Sequence, residues 1–361
     1  MEIEYKKNAD ETVERLRLLW EERVQDRILA VFDVPGRALA EFAEAHPEGF
    51  CDYPDPHDRI AFWDRLLAER AALEDDSIPS AYLSEFDQGL YGGMLGGDVR
   101  FLSDPATGWI SSMVPPLLGD WAEFDELAID ESHPRFRRYL DQLGVFVRGA
   151  EGKFGISHLI LIDGLNFVFE LVGATNTYLA IRDRPGDVRR AIDFAFDLNV
   201  CVHDAFFDAV RADERGTFSN MIQWHPGRIV SESVDPFHMT AVDDFETWGR
   251  EPAQQILDRY DGGCLHIHGN GRHLLQAVCS LRGLKAIYMG DDRGFPLAIN
   301  VAGELKRRAG DVPLVIPAEF EAFRGKLERS ELPAGVLYAV SDAPDVDAAN
   351  RCMDDVRAYR A

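Results

Sequence analysis

Two histidines, His266 and His268, lie two residues apart in the segment Cys264-Leu265-His266-Ile267-His268-Gly269. Residues two apart on an extended strand share one face. Both imidazoles then project to the same side, with Leu265 and Ile267 on the other. Imidazole near neutral pH relays a proton or offers a nitrogen lone pair to a metal. The bland alternative is a pair of core histidines held by neighbouring carboxylates.

Acids end the neighbouring apolar runs. Residues 228–235 finish at Asp235, and residues 285–289 lead into Asp291 and Asp292. Residues 312–316 run into Glu319, and residues 335–340 into Ser341 and Asp342. Asp342 continues the alternation of Val336, Tyr338 and Val340. Asp235 continues that of Ile229, Ser231 and Ser233. An Asp after a strand can instead cap the next helix. One functional acid is expected between Asp291 and Asp292, without a choice between them. Glu85 and Tyr91 flank the glycine-rich run at residues 89–97, and His225 precedes Pro226-Gly227. These three, with Arg272 and Asp292, are the expected substrate contacts. His158 reads as a core histidine, and His238 and His273 as undecided between site and surface.

These residues need elements to position them. Apolar residues at helical spacing cover residues 12–32 and 60–73. From residue 154 onward, apolar runs at 154–162, 228–235, 264–268, 285–289, 312–316 and 335–340 alternate with helical stretches. That alternation points to a parallel sheet covered by helices. A closed barrel and an open doubly wound sheet both fit it. The absence of G-x-G-x-x-G after an early strand removes support from the dinucleotide-binding open sheet. The glycine-rich run lacks the phosphate-loop pattern and implies close backbone approach or a loop. The expected fold is an α/β (β/α)8 TIM barrel, residues 77–361, with an N-terminal helical extension at 1–76. Chemistry would then sit at the carboxyl ends of the strands.

Composition limits the function. Among 361 residues, 63 Asp and Glu outweigh 38 Lys and Arg, a net charge of −25. Nucleic acid and acidic membrane surfaces are therefore disfavoured partners. No segment has the unbroken apolar length of a membrane span or the apolar core of a signal peptide, so a cytoplasmic location is expected. Five scattered cysteines form no C-x-x-C pair and no disulfide framework.

The chain resembles the uroporphyrinogen decarboxylase superfamily, and within it the corrinoid-linked, coenzyme M type methyltransferases more than the decarboxylase itself. The resemblance covers about two thirds of the chain, on the residues just described. His266-Ile267-His268-Gly269-Asn270 looks like the methyltransferases' H-x-C-G-N strand end, with His268 at the cysteine position. Residues 335–342 look like the final barrel strand, with Asp342 where the methyltransferases carry a second metal-binding cysteine. Ser233-Val234-Asp235 and Met289-Gly290-Asp291 are similar to two further strand ends. The decarboxylases' R-Q-A-G-R motif has only Val34-Pro35-Gly36-Arg37 as a faint counterpart.

The resemblance implies a metal-assisted methyltransferase acting on a small substrate. Its metal, zinc before others, would be held by His266, His268 and Asp342. Asp235, His266 and Asp291 would be catalytic. A corrinoid carried by a partner protein would exchange the methyl group, and the protein would form a homodimer. A His-His-Asp set suits an ion that activates an oxygen rather than a thiol. Two alternatives stay open: metal-free decarboxylase or lyase chemistry on a tetrapyrrole or other conjugated acid, and a non-catalytic barrel within a methyl-transfer complex.

Overall fold

A computed structural model describes residues 3–104 and 108–360. Among the described residues thirteen strands appear in chain order. They are β1 (Ile28–Phe32), β2 (Ser80–Tyr82), β3 (Arg100–Asp104), β4 (Trp109–Met113), β5 (Gly155–Ser157), β6 (Ile160–Leu161) and β7 (Thr217–Ser219). β8 (Gln223–His225), β9 (Val230–Ser233), β10 (Gly263–Ile267), β11 (Leu284–Met289), β12 (Leu314–Glu319) and β13 (Val336–Ser341) follow. Seven of them form a parallel sheet in the order β1-β13-β12-β11-β10-β9-β6. A second sheet runs β2-β5-β7-β8, and β3 and β4 form an antiparallel pair. The fold is α/β, as the alternation of elements predicts.

The parallel strands are short and rich in branched residues, and both their faces are largely buried. Such burial on two sides is what a helix-covered parallel sheet requires. Helices between consecutive strands supply the cover, among them Pro185–Val210, Arg250–Arg259, Ala302–Ala309 and Phe320–Glu328. The helical stretch before β10 divides at Gly249, where Phe237 and Phe245 leave no room for a Cβ. Gly262, with φ of +109°, brings its backbone against Gly283 where β10 and β11 begin; a Cβ there would lie 2.0 Å from the Gly283 carbonyl.

The N-terminal segment differs from its sequence reading. Its helix ends at Trp20, and residues 28–32 form β1 in register with β13. Ile28, Leu29 and Phe32 fit a helical stripe as well as a strand, so periodicity alone misassigns them. Residues 1–76 are therefore not a purely helical addition, because they supply a sheet strand. Two acids tie them in. Asp75 Oδ2 accepts from Phe32 N at 2.8 Å, and Asp76 Oδ2 from Ala30 N at 2.9 Å. Lys6 and Arg15 pair with these acids at 2.9 Å and 2.6 Å. Burial alone would raise the Asp75 pKa, but the Lys6 charge and several hydrogen bonds hold it below the usual range.

His158 lies between β5 and β6, fully buried, with Nδ1 2.9 Å from Leu159 O. Burial lowers its pKa to about 4, and it pushes the neighbouring buried His203 well below its usual value. In the unfolded chain each ring takes its proton near 6.5. Between these values protons favour the unfolded state, so this stability is complete above about pH 6.5 and drains away toward pH 4. For His158 the expected loss from about pH 7.5 to about pH 5 is roughly 2 kcal/mol. Asp163 and Glu232, whose pKa values are raised by burial, act in the opposite direction. Urea unfolding of wild type and His158→Gln at the two pH values separates the contributions: the variant should lose less on acidification.

No helix among the described residues is long and apolar enough to cross a membrane.

Candidate metal centre

The face of β10 that carries the histidines is set by register. His266 lies beside Ser233 of β9 and Tyr288 of β11. Its ring is 4.3 Å from that of His268 and 5.4 Å from that of Tyr288, centroid to centroid. The backbone then turns. Gly290 N donates to Ile267 O at 2.8 Å, which brings the end of β11 against both imidazoles. A Cβ on Gly290 would stand 2.9 Å from His266 Nε2 and 3.3 Å from His268 Nδ1. Only a residue without a side chain leaves those rings where they are.

Asp235 completes the group. It opens a single helical turn after β9, at Asp235–Met239. One ligand atom each from Asp235, His266 and His268 lies within 4.8 Å of the others. His268 Nε2 is 3.8 Å from Asp235 Oδ1. That carboxylate oxygen is buried and has no hydrogen-bond partner among the described residues. The other nitrogen of His268 is engaged: Nδ1 lies 3.1 Å from Asp292 Oδ1, while Asp292 Oδ2 accepts from Asn270 N at 3.1 Å. Burial works against ionisation of Asp292, but the Asn270 amide and His268 outweigh it and lower its pKa. The proton of His268 is thereby placed on Nδ1, and the Nε2 lone pair faces Asp235. Burial above all, with the adjoining His268 ring adding to it, lowers the His266 pKa to about 4. A neutral ring with a free lone pair is the form that binds a metal.

The sequence candidates separate accordingly. His266, His268, Asp235 and Asp292 converge. Asp342 does not join them. β13 ends at Ser341, and Asp342 has φ of +60°, so strand alternation no longer directs its side chain. It is exposed and accepts from Ser341 Oγ at 2.7 Å. Asp291 accepts from Arg272 at 3.0 Å and from Ala298 N at 2.7 Å. Arg272 also bonds to the Pro296 carbonyl, so these two side chains hold the rim loop and face each other. Between Asp291 and Asp292, Asp292 is the one that reaches the histidines.

Three expected substrate contacts are corrected. Glu85 is fully buried against Arg59 and Gln142. Tyr91 is buried in the helix Gly89–Met94, with its hydroxyl donating to Ile160 O at 3.0 Å. His225 lies in β8, 2.5 Å from Glu21, which also binds Lys285 at the start of β11. That places His225 toward the amino ends of the strands, away from the histidine pair. The glycines at 89, 92 and 97 do serve close approach, to Ser112, Val114 and Leu117.

Two more residues join the site: His238, open between site and surface in the sequence, and Tyr288, which the sequence does not point to. His238 is buried, with Nδ1 3.5 Å from Asp235 Oδ1 and its ring 5.5 Å from that of His268. Its burial, against the pull of Asp235, lowers its pKa to about 4. Gly271 makes room for it, since a Cβ there would be 2.0 Å from the ring. Tyr288 reaches the site only through the β10–β11 register. His273 is exposed, 2.9 Å from Thr240 O.

Asp292→Asn keeps the shape but removes the charge that holds His268 Nδ1–H. Loss of such an outer partner costs about 10–100-fold in metal affinity. Competition with a chromophoric zinc chelator measures it, and unchanged affinity would exclude this role for Asp292.

No family model matches the chain, and no curated protein matches it in sequence. Among solved structures it is similar to a methyltransferase from Methanosarcina mazei, with a TM-score of 0.62 over 99% of each chain at 14% identity. A likeness at that identity speaks for the fold.

Proposed function

We propose that the chain is a metal-assisted methyltransferase built on an eight-stranded barrel. It acts on a small substrate together with a corrinoid carried by a partner protein. The observation that carries the reading is the convergence of Asp235, His266 and His268 at the strand ends. The likeness in fold to a protein named a methyltransferase supports the reaction class.

The barrel reading is supported by the two larger sheets. β5 and β6 are separated only by His158 and Leu159, so they act as one interrupted strand joining both sheets. The segment leading into β2 approaches β1 where Asp76 N donates to Ala30 O at 2.9 Å. There the carboxylates of Asp75 and Asp76 satisfy β1 in place of a regular ladder. The circuit β1, β2, β5–β6, β9, β10, β11, β12, β13 then has eight members. In this arrangement residues 1–76 and 77–361 are parts of one structural unit.

The donor set fits a divalent ion. It has two imidazoles, one carboxylate whose buried oxygen lacks a partner, and a glycine that keeps the space clear. Nitrogen and oxygen donors in this ratio favour zinc or a similar ion over the softer thiophilic metals. When bound, such an ion supplies a Lewis acid for an oxygen of the substrate. The chain itself orients the donors: Asp292 fixes the tautomer of His268, and Asn270 N–H fixes Asp292. His238 and Tyr288 wall the site on either side of the histidine pair.

Demethylation of methylcobalamin, followed by its visible absorbance with a panel of small acceptors, tests the reading. Zinc-loaded wild type is expected to accelerate it, and His266→Ala is not. Equal rates for the two proteins, or a wild-type rate no faster than buffer, would contradict the proposal.

A further inference from the structure

Two cavities share Phe32, Arg70, Ser77 and Gln223 in their linings. The more open one has a volume of about 380 Å³ and lies at the strand ends, between Tyr288, Pro317 and Ala339. Tyr288 is also the neighbour of His266, so this cavity borders the candidate metal centre. The more enclosed one, of about 200 Å³, is walled by Phe32, Trp63, Tyr82 and Trp109. The rings of Tyr82 and Trp109 lie 4.8 Å apart at 30°. A dry cavity of about 150 Å³ is enough for benzene, so the enclosed space suits one six-membered ring.

Its polar groups are unusual in kind. Tyr82 Oη, Trp63 Nε1 and Arg70 Nε are buried and have no hydrogen-bond partner among the described residues. All three belong to lining residues, and Tyr82 is only 2% exposed. An indole nitrogen and a guanidinium can only donate. A phenol hydroxyl can donate as well as accept. Buried donors without acceptors are costly, and a ligand that brings acceptor oxygens removes that cost. Arg70 stands where the two cavities join, anchored by Asp33 and by the Val34 carbonyl.

We propose that this double cavity binds an aromatic carboxylate. Its ring lies between the aromatic walls of the enclosed part, and its oxygens accept from Arg70, Tyr82 and Trp63. The open part then holds whatever group of the molecule faces Tyr288 and His266. This names the substrate class of the proposed methyltransferase and rests on that reading for the reaction. The recognition itself uses no metal ligand.

Benzoate titrated into the full-length protein, followed by calorimetry and by tryptophan fluorescence, tests it. Wild type should bind one equivalent saturably in the millimolar range or tighter, and toluene should bind more weakly. Tyr82→Phe and Arg70→Gln should each weaken benzoate by about tenfold, the equivalent of about 1.4 kcal/mol. Thermal melts establish that each variant is folded, and Trp63→Phe, which keeps the aromatic wall, replaces any that is not. The proposal is overturned if wild type shows no saturable benzoate binding, or if every folded variant binds as tightly as wild type. Zinc binding with no benzoate binding would remove the substrate class and leave the metal centre standing.

Discussion

His266→Ala is expected to weaken zinc binding by more than the roughly 10–100-fold that loss of an outer partner produces. The ring is one of three donors that come within 4.8 Å of one another. Two donors remain in the variant, His268 and Asp235, and their closest approach is 3.8 Å. A methyl group in place of the imidazole offers no lone pair and opens the site to water beside Tyr288. The fold should tolerate the change, because the His266 side chain makes no hydrogen bond among the described residues and is only partly buried, and its backbone keeps its place in β10. Chelator competition on wild type and variant reads the affinity, and circular dichroism reads the fold. A variant that binds zinc as wild type does would place the ion elsewhere.

Glu85→Ala should do the opposite: leave zinc affinity alone and weaken the fold. Glu85 and Arg59 are both almost completely buried, with Arg59 Nε 3.5 Å from Glu85 Oε1. Gln142 donates to the same carboxylate oxygen. Arg59 also donates to Gly108 O at 3.2 Å and stands over the Phe62 ring at 5.0 Å. Without Glu85 its guanidinium stays buried with no counter-charge. Breaking a buried pair from one side costs about 3–5 kcal/mol. Urea unfolding should show a loss of that size, and a loss below about 1 kcal/mol, in the range of an exposed pair, would contradict the assignment.

Strand positions in the second half were legible because buried parallel strands read as apolar runs with a definite length. β10, β11, β12 and β13 fall within a few residues of where the sequence puts them. β1 was hidden, since Ile28-Leu29-Ala30-Val31-Phe32 follows a true helix and continues its spacing. The histidine pair was legible from two-residue alternation, which holds as long as the strand lasts. Asp342 shows its limit: the face it continues carries Tyr338 onto Phe323 of the covering helix while Ala339 and Ser341 line the cavity, and Asp342 itself lies one residue past β13 in the left-handed region. Asp235 lies past its strand as well, but the turn it opens happens to bring it back to His268. Glu85 and Tyr91 looked available because they flank glycines. Those glycines serve close packing, which buries their neighbours. His238 and Tyr288 depend on which strands are adjacent, and a linear sequence does not carry that information.

The most direct test of the metal centre is anomalous diffraction at the zinc edge, on crystals of zinc-loaded protein. One peak is expected, bounded by His266, His268 and the Asp235 carboxylate, with Asp342 outside its coordination sphere. A fully loaded crystal with its zinc away from the two histidines would contradict the account.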